Sequence, residues 1–231
     1  MARSGAARAP EAAMECTVVP VTPFEQNCSV LRCERTGRGA VVDPGGDLDR
    51  ILAVCEEHKV EVERILITHG HLDHAGGTAA LARSLSVPVE GPHPEDLFWI
   101  EAMAEQGVTF GLEGAEAFEP DRWLAGGDTV RVGELELQVR HTPGHTPGHV
   151  IFFEPASRVA LVGDVLFQGS IGRTDFPRGD YDQLIRSIRE QLLPLGDDVT
   201  FFPGHGPCST LGAERRTNPF LVDPDRYREM M

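Results

Sequence analysis

Ile65-Leu66-Ile67-Thr68-His69-Gly70-His71-Leu72-Asp73-His74 is the stretch on which the reading of this chain turns. Three histidines and one aspartate fall within positions 69–74, and imidazole and carboxylate are side chains that bind divalent metal. The apolar run before them reads as a buried strand, so the ligand types sit where a rigid strand gives way to a loop. A backbone that collects all four around metal must turn sharply, and Gly70 with the Gly76-Gly77 pair is expected to supply that freedom. Affinity tags also cluster histidine, but as uninterrupted runs at chain ends. His-x-His-x-Asp-His after a strand is a specific ligand pattern.

The same arrangement recurs downstream. Thr129–Val132 and Leu135–Arg140 read as a hairpin through Gly133-Glu134, and the second strand runs into His141-Thr142-Pro143-Gly144-His145-Thr146-Pro147-Gly148-His149. Val159–Gly163 is a strand ending at Asp164, and Val199–Phe202 ends in Pro203-Gly204-His205-Gly206. Four strand-to-loop junctions therefore deliver His or Asp: 68–74, 145, 164 and 205. Upstream, Cys16–Val19, Ser29–Cys33 and Ala40–Asp43 read as short strands closed by the turn Asp43-Pro44-Gly45-Gly46. Asp43 is a turn carboxylate that could also support a ligating histidine from behind.

Helices fill the intervals. Asp47 is placed to cap one whose Leu48, Ile51, Leu52 and Cys55 share a face. Others are predicted over Gly77–Leu85, over 94–106, and from Asp180 through Leu192. Val87–Val89 and Val150–Phe153 complete the strands, and 107–127 is expected to be a loop over one side of the site. Strands followed by helices in both halves predict an α/β fold of four αββα layers, two mixed sheets packed together with helices outside.

The 231 residues suit one domain, taken as 15–231 after a disordered extension over 1–14; a start at Met14 is the alternative to Met1. Acidic residues outnumber basic ones by 36 to 21, a formal charge of −15. That balance excludes nucleic acid and anionic membrane as expected partners. Lys59 is the only lysine, so any anion-binding role falls to arginine or to backbone amides. The five cysteines are odd in number and lack CxxC spacing, which points to free thiols in a reducing, cytoplasmic setting. Cys208, close to His205, reads as a packing residue before a ligand. No segment approaches transmembrane length.

The pattern resembles the metallo-β-lactamase superfamily across 16–222. Gly163-Asp164, Ile171-Gly172-Arg173-Thr174-Asp175-Phe176-Pro177-Arg178-Gly179-Asp180, Pro203-Gly204-His205-Gly206-Pro207 and Thr217-Asn218-Pro219-Phe220 are similar to the short, single-domain bacterial enzymes classed with glyoxalase II. The resemblance implies that His69, His71 and His145 hold one metal, that Asp73, His74 and His205 hold a second, and that Asp164 bridges them. It gives no ligand role to His141 or His149. It further implies hydrolysis of a small thioester such as S-D-lactoylglutathione by a metal-activated hydroxide, with Asp73 orienting that hydroxide as well as binding metal. Donors of this type without thiolate suit zinc, iron or manganese alike, and two divalent ions, zinc before iron or manganese, are the expectation.

Two departures bear on the substrate. Only 26 residues follow His205, too few for the helical domain with which larger glyoxalase II enzymes grip glutathione. Arg173-Thr174-Asp175 stands where those enzymes have a lysine and a tyrosine on glutathione. Arg173 could pair with a substrate carboxylate, or form a structural ion pair with Asp175 or Asp180. The Gly-Arg-Thr-Asp-Phe run is also similar to the persulfide dioxygenases, which use one iron on the same fold, and a non-catalytic metal-binding protein is a third expectation.

Overall fold

Alternation along the strands builds the layers of this molecule, whose computed structural model describes residues 13–228. The first sheet takes β1 (Met14–Val21), β2 (Gln26–Cys33), β3 (Arg38–Val42), β4 (Glu61–Leu66) and β5 (Val89–Glu90) in that spatial order. Its first two pairings are antiparallel and its last two parallel. Helices α1 (Leu48–Glu57), α2 (Leu72–Ala75) and α3 (Thr78–Leu85) lie between its strands in the chain, and α4 (Leu97–Glu101) and α5 (Met103–Phe110) follow it.

The second sheet is formed by β6 (Thr129–Val132), β7 (Leu135–His141), β8 (Val150–Glu154), β9 (Val159–Gly163), β12 (Thr200–Pro203) and β13 (Ser209–Thr210), in the order β13-β12-β9-β8-β7-β6. Strands β10 (Leu166–Phe167) and β11 (Ser170–Ile171) make a separate ribbon. Helices α6 (Tyr181–Ser187), α7 (Leu211–Thr217), α8 (Pro219–Val222) and α9 (Pro224–Tyr227) complete the chain.

Successive strand residues point to opposite faces, and here each face has its own apolar destination. Ala40, Val42 and Leu66 meet Val150, Phe152 and Leu161 between the sheets. Their neighbours Val41 and Ile65 pack instead with Ile51 and Cys55 of α1 and Leu81 of α3. Ile151, Phe153, Ala160 and Val162 pack outward with Leu184 and Ile185 of α6 and Leu211 of α7. Each fully buried Val, Leu, Ile or Phe among them contributes about 1.5–3 kcal/mol. The expected four-layer αββα arrangement of two mixed sheets follows from this division.

Several local expectations need correction. Asp47 precedes α1 but in the left-handed region, φ 48°, and its side chain caps no helix N–H; its carboxylate accepts instead from Thr22 N–H at 2.7 Å. The predicted helix over 94–106 is a tight turn at Pro94–Asp96 followed by α4 and α5, and helix persists to Phe110 inside the stretch read as loop. The helix from Asp180 keeps its side-chain cap, to Gln183 N–H at 2.8 Å, but widens over Ile188–Leu192. Pro194, which has no N–H to give, stands just beyond. Of the extension expected over 1–14, residues 1–12 lie outside the described residues and Met14 already opens β1.

Backbone bonds bring the junctions to one edge of the sandwich. Val150 N–H donates to Thr68 O at 2.8 Å, which ties the first ligand loop to the second sheet. Strands β9 and β12 are parallel neighbours, so Asp164 and His205 emerge at the same end, locked by Gly204 N–H to Gly163 O at 2.8 Å.

Candidate metal centre

His69, His71 and His145 turn one nitrogen each toward a common point. His71 Nδ1 lies 3.1 Å from His69 Nε2 and 2.9 Å from His145 Nε2. Each ring is held from behind. His69 Nδ1 is 3.0 Å from Thr68 Oγ1, and His145 Nδ1 donates to Arg173 O at 2.7 Å, which leaves its Nε2 lone pair for the site. Trp99 and Phe176 fix the His71 ring by edge-to-face contact, with centroids 4.5 and 4.9 Å away.

Asp73, His74 and His205 form a second group. His205 Nε2 is 3.1 Å from Asp73 Oδ2, and His74 Nε2 is 3.9 Å from the same oxygen. Asp164 reaches both groups: Oδ1 is 3.3 Å from His74 Nε2, while Oδ2 is 3.5 Å from His145 Nε2 and 3.8 Å from His205 Nε2. A carboxylate so placed has the geometry of a bridge. Asp43 works from behind, accepting from Thr68 N–H at 2.8 Å, from Thr68 Oγ1 at 2.6 Å and from His74 Nδ1 at 2.9 Å. His74 Nε2 is thereby aimed inward.

Two observations test whether these residues fit divalent cations. His74 Nε2 and Asp164 Oδ1 are buried without any hydrogen-bond partner, their approach being misaligned for one, and buried polar atoms of this kind call for a ligand. A side chain on Gly204 would enter the same space, since a Cβ there would stand 2.1 Å from Asp164 Oδ1 and 2.5 Å from His74 Cε1. With imidazole and carboxylate donors and no thiolate, both groups fit divalent metal.

Electrostatics differ between the groups. Burial, reinforced by neighbouring imidazoles, holds His69 and His71 well below the ordinary histidine range, and burial also lowers His145. All three are thus neutral donors near pH 7. Burial pulls His74 down too, but Asp164, Asp73 and Asp43 override it and hold it well above its ordinary value. Burial likewise opposes ionisation of Asp164 and Asp73, and the imidazoles around them outweigh it, keeping both carboxylates ionised. A divalent cation bound here would displace the proton on His74.

Sharp turning by glycine is not how the first loop works. Gly70, Gly76 and Gly77 all avoid the left-handed region, and Leu72–Ala75 is one turn of helix. What Gly70 provides is room: a Cβ would lie 2.8 Å from Trp99 Cβ. His141 and His149 stand outside both groups. His141 Nε2 donates to Pro147 O at 2.9 Å, and His149 Nε2 accepts from Asp164 N–H at 3.1 Å, positioning the Asp164 backbone between the two groups.

Above the site opens a cavity of about 550 Å³ whose floor includes His71, Asp73, His145, Asp164 and His205. Arg173 lines it, but its guanidinium is held bidentately by Asp175 at 2.9 and 2.7 Å. Its carbonyl also orients His145 from behind. The sequence reading missed Asp96, Trp99 and Phe110. Asp96 is fully buried and accepts from Gly70 N–H, Thr146 Oγ1 and Gly148 N–H at 2.9, 2.8 and 2.6 Å, so it staples the His69–His71 loop to the His145 loop. In the sequence it is one more acid at a helix start.

The family model of the metallo-beta-lactamase superfamily matches residues 21–205. The chain is 46% identical to the hydroxyacylglutathione hydrolase GloC of Haemophilus influenzae over 90% of this chain and 98% of that protein. Among solved structures, BLEG-1 B3 metallo-beta-lactamase superposes with a TM-score of 0.83 at 34% identity, covering 90% of this chain and all of that one. TTHA1623 in a di-iron-bound form superposes with a TM-score of 0.80 at 37% identity, covering 89% and 100%. Sandwich, converging donors and similarity across nine-tenths of the chain agree: the protein belongs to the metallo-beta-lactamase superfamily and is a metallo-hydrolase of that family.

Proposed function

We propose that the protein hydrolyses small thioesters at a binuclear centre, in the manner of the glyoxalase II enzymes. One observation carries the reading: two separate donor groups, His69–His71–His145 and Asp73–His74–His205, share Asp164 at the floor of an open cavity. Divalent cations, if held by these residues, would supply Lewis acidity, lowering the pKa of a bound water toward neutrality and polarising a carbonyl. Zinc and iron both suit the donors, and the di-iron form of TTHA1623 favours testing iron alongside zinc.

The protein's own residues supply position. Asp73, at the cavity floor, accepts a hydrogen bond from the attacking water and orients it toward the acyl carbon. Asp164 and His149 hold the two donor groups in register. Oxygen from water adds to the acyl carbon, the carbon–sulfur bond breaks, and thiol and carboxylic acid leave. A thiolate is a good leaving group near neutral pH, so no strong general acid is required. Neither Ser nor Cys lines the cavity among the described residues, which favours direct attack by water over a covalent intermediate. The five free thiols fit a reducing, cytoplasmic setting, and a charge of −15 argues against nucleic acid or anionic membrane as partners.

The experiment is a panel of small thioesters, S-D-lactoylglutathione among them, followed by loss of thioester absorbance with metal counted per chain. Turnover of any member with about two metals per chain is the expected result. No turnover with both groups loaded would overturn the proposal. Oxygen uptake on glutathione persulfide with a single iron would replace it with the dioxygenase reading.

A further inference from the structure

One histidine pair belongs to neither donor group. His93, in the segment after β5, and His141, the last residue of β7, stack face to face with ring centroids 4.2 Å apart and planes 18° from parallel. Glu95 stands beside them, and one donor atom from each of the three residues lies within 4.8 Å of the other two. Both histidines are half-buried and Glu95 is exposed, so a cation from solvent can reach the cluster. None of the three lines the cavity above Asp164.

The donors are prepared for a cation. His141 gives its Nε2 proton to Pro147 O at 2.9 Å, which fixes the ring and leaves the Nδ1 lone pair for a ligand. His93 Nδ1 meets the Glu95 N–H at a long 3.3 Å. Burial and the neighbouring His141 ring hold His93 below the ordinary histidine range, so it too is a neutral donor near pH 7. Glu95 brings the negative charge. Its ion pair with Arg178 is 4.0 Å long and solvent-exposed, too weak to keep the carboxylate from a metal. Tetrahedral zinc, with bonds of about 2.0–2.1 Å, sets its donors about 3.3 Å apart. A tilt of the stacked rings and a swing of the Glu95 side chain close the difference.

We propose that His93, Glu95 and His141 form a further divalent-cation site, suited to zinc and separate from the centre built around Asp164. Two imidazoles and one carboxylate favour zinc over the oxygen-seeking magnesium and calcium. Location gives the site a role. Glu95 precedes Asp96, whose carboxylate joins the His69–His71 loop to the His145 loop, and His141 opens the segment that carries His145. A cation here ties the chain leaving the first sheet to the end of β7 in the second, and so stiffens the frame of the His69–His71–His145 group without touching it. The assignment does not depend on the thioester reading.

The test counts zinc per chain by equilibrium dialysis in wild type, His93→Ala and Glu95→Gln, with circular dichroism as the check on folding. His93→Ala should bind one ion fewer than the wild type, whatever number the main centre holds. Glu95→Gln, at an exposed position that spares the fold, should keep that ion but bind it about tenfold more weakly. Raising zinc about a hundredfold beyond the level that fills this site should lift the wild-type Tm by about 5 °C, a rise that His93→Ala should lose. Equal zinc counts in wild type and His93→Ala, or a last ion indifferent to Glu95→Gln, would overturn the proposal. Loss of more than one ion from His93→Ala would overturn it too, by making the cluster part of the main centre.

Discussion

Replacing Asp96 with alanine asks whether one carboxylate holds the two histidine loops together. Its side chain is fully buried and accepts three hydrogen bonds, from Gly70, Thr146 and Gly148. Bonds to an ionised group are worth about 1.5–3 kcal/mol each, and the three donors would be left without an acceptor. Burial opposes the ionised form and pushes Asp96 up to about 6 despite those bonds. At neutral pH that net shift, the bonds included, disfavours the folded ionised form by about 3 kcal/mol relative to the protonated one, so the loss in Asp96→Ala comes from the three donors left without an acceptor. The balance for Asp96→Ala is a loss of about 2–4 kcal/mol in unfolding free energy, read from urea denaturation of metal-free protein. Gly70 lies between His69 and His71, and Thr146 follows His145. The three-histidine group should therefore lose about 10–100-fold in metal affinity, measured by competition with a chromophoric chelator. A variant that binds metal as the wild type does, or that unfolds at the same urea concentration, would refute the staple.

Asp96 also predicts a pH dependence. Its folded pKa is raised, so the stability it contributes is whole below about pH 4 and is lost as pH rises through about 6. The margin of wild type over Asp96→Asn, both metal-free, should shrink across that window in urea titrations; a margin that grows with pH would contradict this. Asp164→Ala should keep the far-ultraviolet circular dichroism of the wild type, lower kcat by about a thousandfold and reduce bound metal, because one carboxylate serves both groups. Asp43→Ala leaves Thr68 and His74 without their acceptor and should weaken metal binding at Asp73–His74–His205 by about 10–100-fold in the same chelator competition. Stripping metal with a chelator should abolish thioester turnover and lower Tm, with zinc or iron restoring both.

Much of this protein is readable one segment at a time. His69, His71, Asp73 and His74 are sequence neighbours after an apolar strand, so their chemistry appears as a local pattern. Strands followed by helices in both halves are enough to foresee αββα layering, whereas β3, β8 and the end of β4 are continuous apolar runs whose two faces only the packing separates. His145, Asp164 and His205 are legible because each closes a strand, although bringing them together depends on β9 and β12 pairing in parallel.

Only the tertiary structure decided what surrounds the donors. Asp96 lies 26 positions from Gly70 and 52 from Gly148, and no local periodicity links residues that meet because the chain returns from elsewhere. The same holds for Trp99 against His71, for Phe24 against Phe110, and for the Arg173 carbonyl behind His145. Arg173 is instructive: the ion pair with Asp175 is foreseeable two positions on, while the backbone carbonyl that orients His145, an atom common to every residue, is not. Donor identity is a property of residue type and sequence spacing. Support and pocket shape depend on chain path, which is set by packing among all the layers at once.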